Sequence, residues 1–299
     1  MFSEIVTHEL KAKVTENISK FQIGAIPGHM PQEHLFTIKS TIAKYAMEGK
    51  GLVLSLYDVA KFFDRENLQD CCGELYKLDI KGKIYRLVYK LNKDTEITVR
   101  TPVGYTDSCE IDECLGQGTS ESGIVSAANL SGGVTEYFEG SNCEVHYSNL
   151  QLSACLFQDD IARLSETLEA VEEGNRRLEA MAESKLLDFH DDKSGMIVIG
   201  PKKFKRRIME RLKQKPVLFC GKPMQVFESE RYLGEIIANS LPESVFQTIQ
   251  RRKGLALRLI SEIRVTINDC RSNVLGGLAV GMEIFTKAVQ PFLFNNCQV

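Results

Sequence analysis

The 299-residue sequence contains no tryptophan, only eight prolines and only five histidines. Those histidines (His8, His29, His34, His146 and His190) show no ligand spacing, so an imidazole-rich metal motif is excluded. No apolar run is long enough for a membrane span. The N-terminus lacks a basic stretch followed by an apolar one, so no cleaved leader is expected. Nine cysteines are an odd number, and none belongs to a Cys-x-x-Cys pair. Cys109 and Cys114 lie five apart without a histidine cluster to complete a zinc site. All nine read as reduced thiols, which fits an intracellular protein of cytoplasm or nucleus. Internal repeats and low-complexity tracts are absent too.

What is present is an ordinary globular composition, 43% hydrophobic and 26% charged. The length suffices for one large or two modest domains. A net charge of −3 hides an asymmetry. From Pro201 onward there are 17 Lys+Arg against 8 Asp+Glu, whereas the first 200 residues hold 20 basic and 32 acidic. An acidic body with a basic last third points to a polyanion-binding surface; a solvated helix face has the same composition.

Hydrophobic periodicity predicts helices over 4–18, 32–47, 65–78, 83–91, 124–138, 166–187 and 202–215, and a mostly helical segment from 243. Strands are expected over 52–57, 95–101 and 194–200, with a strand–turn–strand over 150–164 and a hairpin over 216–227 around Gly221. "GAIPGHMP" (24–31) and "GQGTSESG" (116–123) read as loops. The sum is an α+β fold of mixed, mainly antiparallel type followed by a helical tail.

Within 150–164 the stretch "LSACLFQDDIARL" interrupts an apolar run with Asp159 and Asp160. Adjacent carboxylates repel each other and resist burial. Divalent cations held between carboxylates of two strands would relieve both costs. The apolar run "LVLSLY" delivers a second carboxylate, Asp58, with Asp64 six residues on. Strands ending at Asp58 and Asp159 side by side would make a two-metal site of the kind used for in-line phosphoryl transfer. Alone the dipeptide says little, since a second one, Asp191-Asp192, lies in a polar turn.

The order of the pieces says more. "LYDVAKFFD", "GQGTSESGIVSA", "LFQDDIARL", "LDFHDDKSGMIVIG" and "RYLGEII" follow one another at intervals that resemble the palm of a reverse transcriptase. The likeness is to enzymes of non-LTR (long interspersed, jockey-like) retrotransposons and runs from about Gln22 to Leu233. It implies a right-hand polymerase fold: partial fingers over 1–50, a palm over 51–240 with motifs A to E, and part of a helical thumb over 241–299. By position, Asp58 matches the motif A aspartate. Asp159 and Asp160 match the motif C pair in Phe157-Gln158-Asp159-Asp160. The resemblance makes these three the holders of two Mg²⁺ ions, with Mn²⁺ as an alternative. Gln117 and Gly118 match motif B, where glycine lets backbone approach template and nucleotide. Gly123 departs from that motif's proline after Ser122.

Lys193 matches the motif D lysine, a general acid for pyrophosphate. Phe63 falls where the family has its aromatic steric gate, which favours deoxynucleotides. Tyr232, Leu233 and Gly234 match the primer grip, and the basic tail resembles the thumb that holds a duplex by its phosphates. The partners implied are an RNA template, a DNA primer and deoxynucleoside triphosphates, with no membrane. By residue type alone, Phe63 is a core aromatic, Lys193 a solvated turn lysine and Arg163 a surface residue of the hairpin. The family's endonuclease, its triphosphate-gripping fingers strands and its C-terminal Cys/His region have no counterpart in these 299 residues. The expectation is therefore a polymerase-core fragment that is weak or inactive by itself. The alternative is a catalytically inactive nucleic-acid-binding or protein-interaction module of the same ancestry.

Overall fold

The computed structural model describes residues 2–93, 95–111, 115, 119–138, 141, 144–147, 150–269 and 286–287. They fall into two compact units, Met1–Phe227 and Glu228–Val299. In chain order the first unit begins with α1 (Phe2–Asn17), α2 (Pro31–Met47), β1 (Leu52–Ala60), α3 (Phe62–Arg65), α4 (Leu68–Lys77) and α5 (Gly82–Asn92). Short strands β2 (Thr95–Ile97), β3 (Arg100–Thr101), β4 (Gly104–Tyr105) and β5 (Cys109–Ile111) precede α6 (Ser122–Phe138). Then come β6 (Val145–Tyr147), β7 (Leu150–Leu152), β8 (Cys155–Phe157), β9 (Asp160–Ser165) and α7 (Leu168–Ser184). The unit closes with β10 (Asp188–Phe189), β11 (Gly195–Ile199), α8 (Lys202–Gln214), β12 (Leu218–Phe219), β13 (Lys222–Pro223) and β14 (Gln225–Phe227).

The central sheet runs β14-β11-β1-β9-β8, with β10 also paired to β1. All its pairings are antiparallel except β11 with β14. β1 is central because its run Leu52–Tyr57 is buried on both faces, as a near-continuous apolar strand must be. One core cluster lies between this sheet and the helices that follow it. Tyr57, Phe189 and Phe219 meet there, with Phe219 5.0 Å from each of the other rings. A second cluster joins α1, α4, α5 and α6 through Leu10, Val14, Leu75, Ile80, Val88 and Ile124. Each such side chain, fully buried, contributes roughly 1.5–3 kcal/mol.

Caps mark the helix starts that sequence alone placed imprecisely. The Asn67 side chain accepts from the Gln69 and Asp70 amides, which starts α4 three residues after the predicted point. Thr167 caps α7 by accepting from the Ala170 amide at 3.2 Å.

Arg163 corrects the expectation of a surface residue. It is 1% exposed on β9. Its guanidinium lies 4.5 Å from the centre of the Phe138 ring, and Nε donates to the Ser153 carbonyl at 3.2 Å. Gly174 on α7 makes the room, since a Cβ there would fall 1.4 Å from the guanidinium. A charged side chain tolerates burial when an aromatic face and a carbonyl replace water.

In the second unit, β15 (Ser229–Tyr232) and β16 (Glu235–Ala238) form a hairpin followed by α9 (Leu241–Asp269). Leu233 and Gly234 turn it with φ of +46° and +86°, as a two-residue type I′ turn requires. Ser244 and Thr248 of α9 accept from the Ala238 and Ile236 amides, so the helix satisfies the open side of β16.

Candidate active site

The site forms where β1, the β8–β9 hairpin and the segment 188–194 meet. Asp58 lies two residues before the end of β1. Its partner across the antiparallel ladder is Asp160, not Asp159 as the sequence suggested. The reason is the turn. Phe157 pairs with Asp160, which leaves Gln158 and Asp159 as the two turn residues and carries Asp159 beyond the ladder. Directly opposed residues share one face of a sheet, so Asp58 and Asp160 project to the same side. Asp159 is half-buried, and its pKa is raised, first by burial and then by the negative charge of Asp58.

Lys193 supplies a cation. Its Nζ lies 3.0 Å from Asp58 Oδ2, although the side chain is 63% exposed. His190 Nε2 lies 3.9 Å from the same oxygen. The His190 amide donates to the Asp58 carbonyl at 2.8 Å, and the Ser194 hydroxyl accepts from the Asp58 amide at 3.3 Å. His190 and Ser194 thus tie the 188–194 segment to the end of β1. The sequence placed neither at the site, and the only signal was their nearness in sequence to Lys193.

The turn is braced from an element with no carboxylate at all. Gln158 holds φ +55°, a left-handed conformation that favours glycine. The Gln22 side chain accepts from the Gln158 amide at 3.1 Å and the Gly24 amide at 2.9 Å, and donates to the Gln158 carbonyl at 3.5 Å. Backbone bonds from Ile23 to Leu156 and from Leu156 to Phe21 extend the brace along β8. Gly24 is required by contact, for a Cβ there would stand 2.2 Å from the Gln158 nitrogen. Gly123, at the start of α6, faces the same glutamine, its virtual Cβ 3.3 Å from Nε2. The glycine that departs from the motif B proline therefore leaves space for the turn's own side chain.

The described residues include no group of three His, Cys, Asp or Glu side chains gathered to hold a metal ion. What is brought together is Asp58 and Asp160 across the ladder, Asp159 on the adjoining turn, and the Lys193 ammonium on Asp58. Hard carboxylate oxygens are the donors that Mg²⁺ selects, and an ammonium already held at Asp58 shows that this position accepts a cation. The residues fit such an ion in chemistry.

Phe63 stands in the single turn α3, which Lys61 opens with φ +48°. Its ring lies 5.5 Å from that of Phe62 and is half-buried against the sheet's core cluster. Gln117 and Gly118 lie outside the described residues. Tyr232, Leu233 and Gly234 belong to the second unit, where Tyr232 is buried and the turn is partly exposed.

No family model and no curated protein matches this sequence. Solved structures do match. Telomerase from Candida albicans in complex with a TWJ fragment of telomeric RNA superposes with a TM-score of 0.56 at 12% identity, covering 79% of this chain and 36% of that one. Apo telomerase from Candida tropicalis truncated from its C-terminal domain gives 0.55 at 12% identity, covering 79% and 43%. The Candida tropicalis enzyme in complex with a TWJ fragment gives 0.51 at 11% identity, covering 98% and 47%. The fold is that of a reverse-transcriptase-like polymerase. This chain spans less than half the length of the structures it matches. Among the described residues no helix is long and apolar enough to cross a membrane.

Proposed function

We propose that this chain is the polymerase core of a reverse transcriptase of the non-LTR retrotransposon type, extending a DNA primer on an RNA template with deoxynucleoside triphosphates. The observation that carries the reading is Asp58 set opposite Asp160 in the ladder, with Asp159 on the adjoining turn of a reverse-transcriptase-like sheet. The five sequence motifs support it by their order.

Asp58, Asp159 and Asp160 would hold Mg²⁺, with Mn²⁺ as a substitute. The chemistry such ions would supply, if held by these carboxylates, is a lowered pKa for the primer 3′-hydroxyl and partial neutralisation of the departing pyrophosphate. The chain's own groups do the rest. Asp160 stays on the face of Asp58 because the ladder fixes its register. The Gln22 brace holds the turn that presents Asp159. Lys193 reaches the site on a long exposed stem, so its ammonium is free to move from Asp58 to a pyrophosphate oxygen and give up a proton there. The Phe63 ring, placed under a sugar, would leave no room for a 2′-hydroxyl.

The second reading, a catalytically inactive module that binds nucleic acid or protein, draws on two observations. The Lys193 ammonium is closed on Asp58, and the three carboxylates do not form a ready cluster. Primer extension on a poly(rA)·oligo(dT) substrate with Mg²⁺ separates the two. The polymerase reading expects extension, slow by itself, that falls at least 100-fold in Asp58→Asn. Nucleic-acid binding with no extension at any protein concentration would favour the second reading instead.

A further inference from the structure

The most basic element of the molecule is not in the helical second unit, where the sequence suggested a phosphate-gripping thumb. It is α8, inside the first unit. Seven of its thirteen residues are Lys or Arg against one Glu, and among them only Ile208 is buried. α8 follows β11, whose Ile199 pairs with Leu52 at the start of β1. Six residues of strand separate Leu52 from Asp58, so α8 stands roughly 20 Å from the carboxylates at about 3.3 Å per residue.

An open groove of about 660 Å³ lies there, between α8 and the loop that leads into β1. Lys203, Arg206 and Arg207 line one wall at helical spacing of three and four, which sets them on one face, and Lys50 lines the other. Two glycines let the helix lie close. A Cβ on Gly51 would meet the Phe204 ring at 2.2 Å, and one on Gly200, at φ +143°, would meet Gly51 at 2.5 Å.

Carboxylates at the groove are already engaged. Glu166 accepts from the Tyr45 hydroxyl at 2.5 Å, Glu48 pairs with Lys50 at 2.8 Å and Glu210 lies 3.8 Å from Arg206. Farther along α8, Arg211 is bound to Glu169, and just beyond its end Lys215 is bound to Glu172. Among the described residues Lys203 and Arg207 have no carboxylate partner, and the Arg207 guanidinium rests 5.5 Å from the Phe204 ring centre. Exposed like charges a turn apart repel one another, a cost that an external anion relieves.

We infer that this groove binds the phosphate backbone of single-stranded RNA, as a second nucleic-acid site remote from the carboxylate end of the sheet. An acidic protein segment would need an apolar anchor, yet Tyr45 is buried and Phe204 only half-exposed. A row of cations beside one ring suits a strand of phosphates and bases. A groove of this volume suits a short stretch of one strand.

Fluorescence anisotropy of the full chain with a 5′-fluorescein-labelled 20-nucleotide oligouridylate tests the site. Lys203→Glu/Arg207→Glu should weaken binding at least tenfold and reduce the slope of log affinity against log salt by about 1.4, two phosphate contacts on a single strand. Lys203→Arg/Arg207→Lys should retain the affinity. Wild-type affinity in the Glu double variant, folded by circular dichroism, would overturn the assignment. So would displacement of the RNA by polyglutamate at equal charge. Should that variant fail to fold, ultraviolet crosslinking of the wild-type chain decides: crosslinks within 202–214 support the site, and crosslinks only elsewhere reject it. Asp58→Asn separates this inference from the polymerase reading, because extension can be lost while oligouridylate binding at α8 persists.

Discussion

Two Asp-Asp pairs occur in this chain, and the structure treats them differently. Asp159-Asp160 straddles the end of a hairpin in the central sheet, facing Asp58. Asp191-Asp192 lies in the turn between β10 and β11, where Asp192 is exposed and Asp191 is ion-paired with Lys222. The first pair is held against its electrostatic preference by a glutamine, a glycine and the ladder. The second is placed where water and a lysine suit it. A carboxylate pair acquires meaning from what the structure sets opposite it.

Breaking the brace should show the largest difference. Gly24→Val drives a side chain into the Gln158 backbone, so it should destabilise the first unit by about 3 kcal/mol, read by chemical denaturation. An unchanged midpoint would mean that the 22–24 segment does not hold the hairpin. Gln22→Ala removes the acceptor of two amides without a steric clash. A loss of about 2 kcal/mol is expected, because buried donors left unsatisfied cost 1–3 kcal/mol.

Asp159→Asn sharpens the comparison through pH. The folded pKa of Asp159 is raised from 3.8, so the folded state binds the proton more tightly than the unfolded one. Stability from this group is full below its unfolded pKa and is lost as pH rises through the folded value. The variant should therefore be more stable than the parent at pH 7, by a gain of the order of 1 kcal/mol, and the gain should vanish near pH 3. A gain that grows on acidification would contradict the burial of Asp159. Asp191→Asn is the matched control. Its partner is a lysine 67% exposed, and exposed ion pairs contribute 0–1 kcal/mol, so a change within about 0.5 kcal/mol is expected at any pH from 5 to 8. Equal effects of Asp159→Asn and Asp191→Asn would dissolve the distinction between the two pairs.

Local patterns were readable where they rest on local physics. The apolar run 52–57, the helical spacing of 202–215 and the loop–helix start before Ile124 each became the expected element. Arg163 misled because charge is the strongest surface signal a residue carries, and the cavity that accepts it is made by Gly174 from another element. Gln22 was invisible as a site residue for the same reason: its partner is 136 residues away.

The sequence by itself determined the succession of strands and helices, the apolar strand that carries Asp58, the hairpin that carries Asp159 and Asp160, and the basic character of α8. These follow from periodicity and composition, which act over a few residues. Tertiary structure alone decided that Asp58 faces Asp160, that Lys193 and His190 close on Asp58, and that Gln22 and Gly24 fix the turn. It also decided that the densest positive charge lies roughly 20 Å from the carboxylates, at the other end of the same strand. Ladder register and close backbone approach join residues more than a hundred positions apart, and no local preference encodes such a distance.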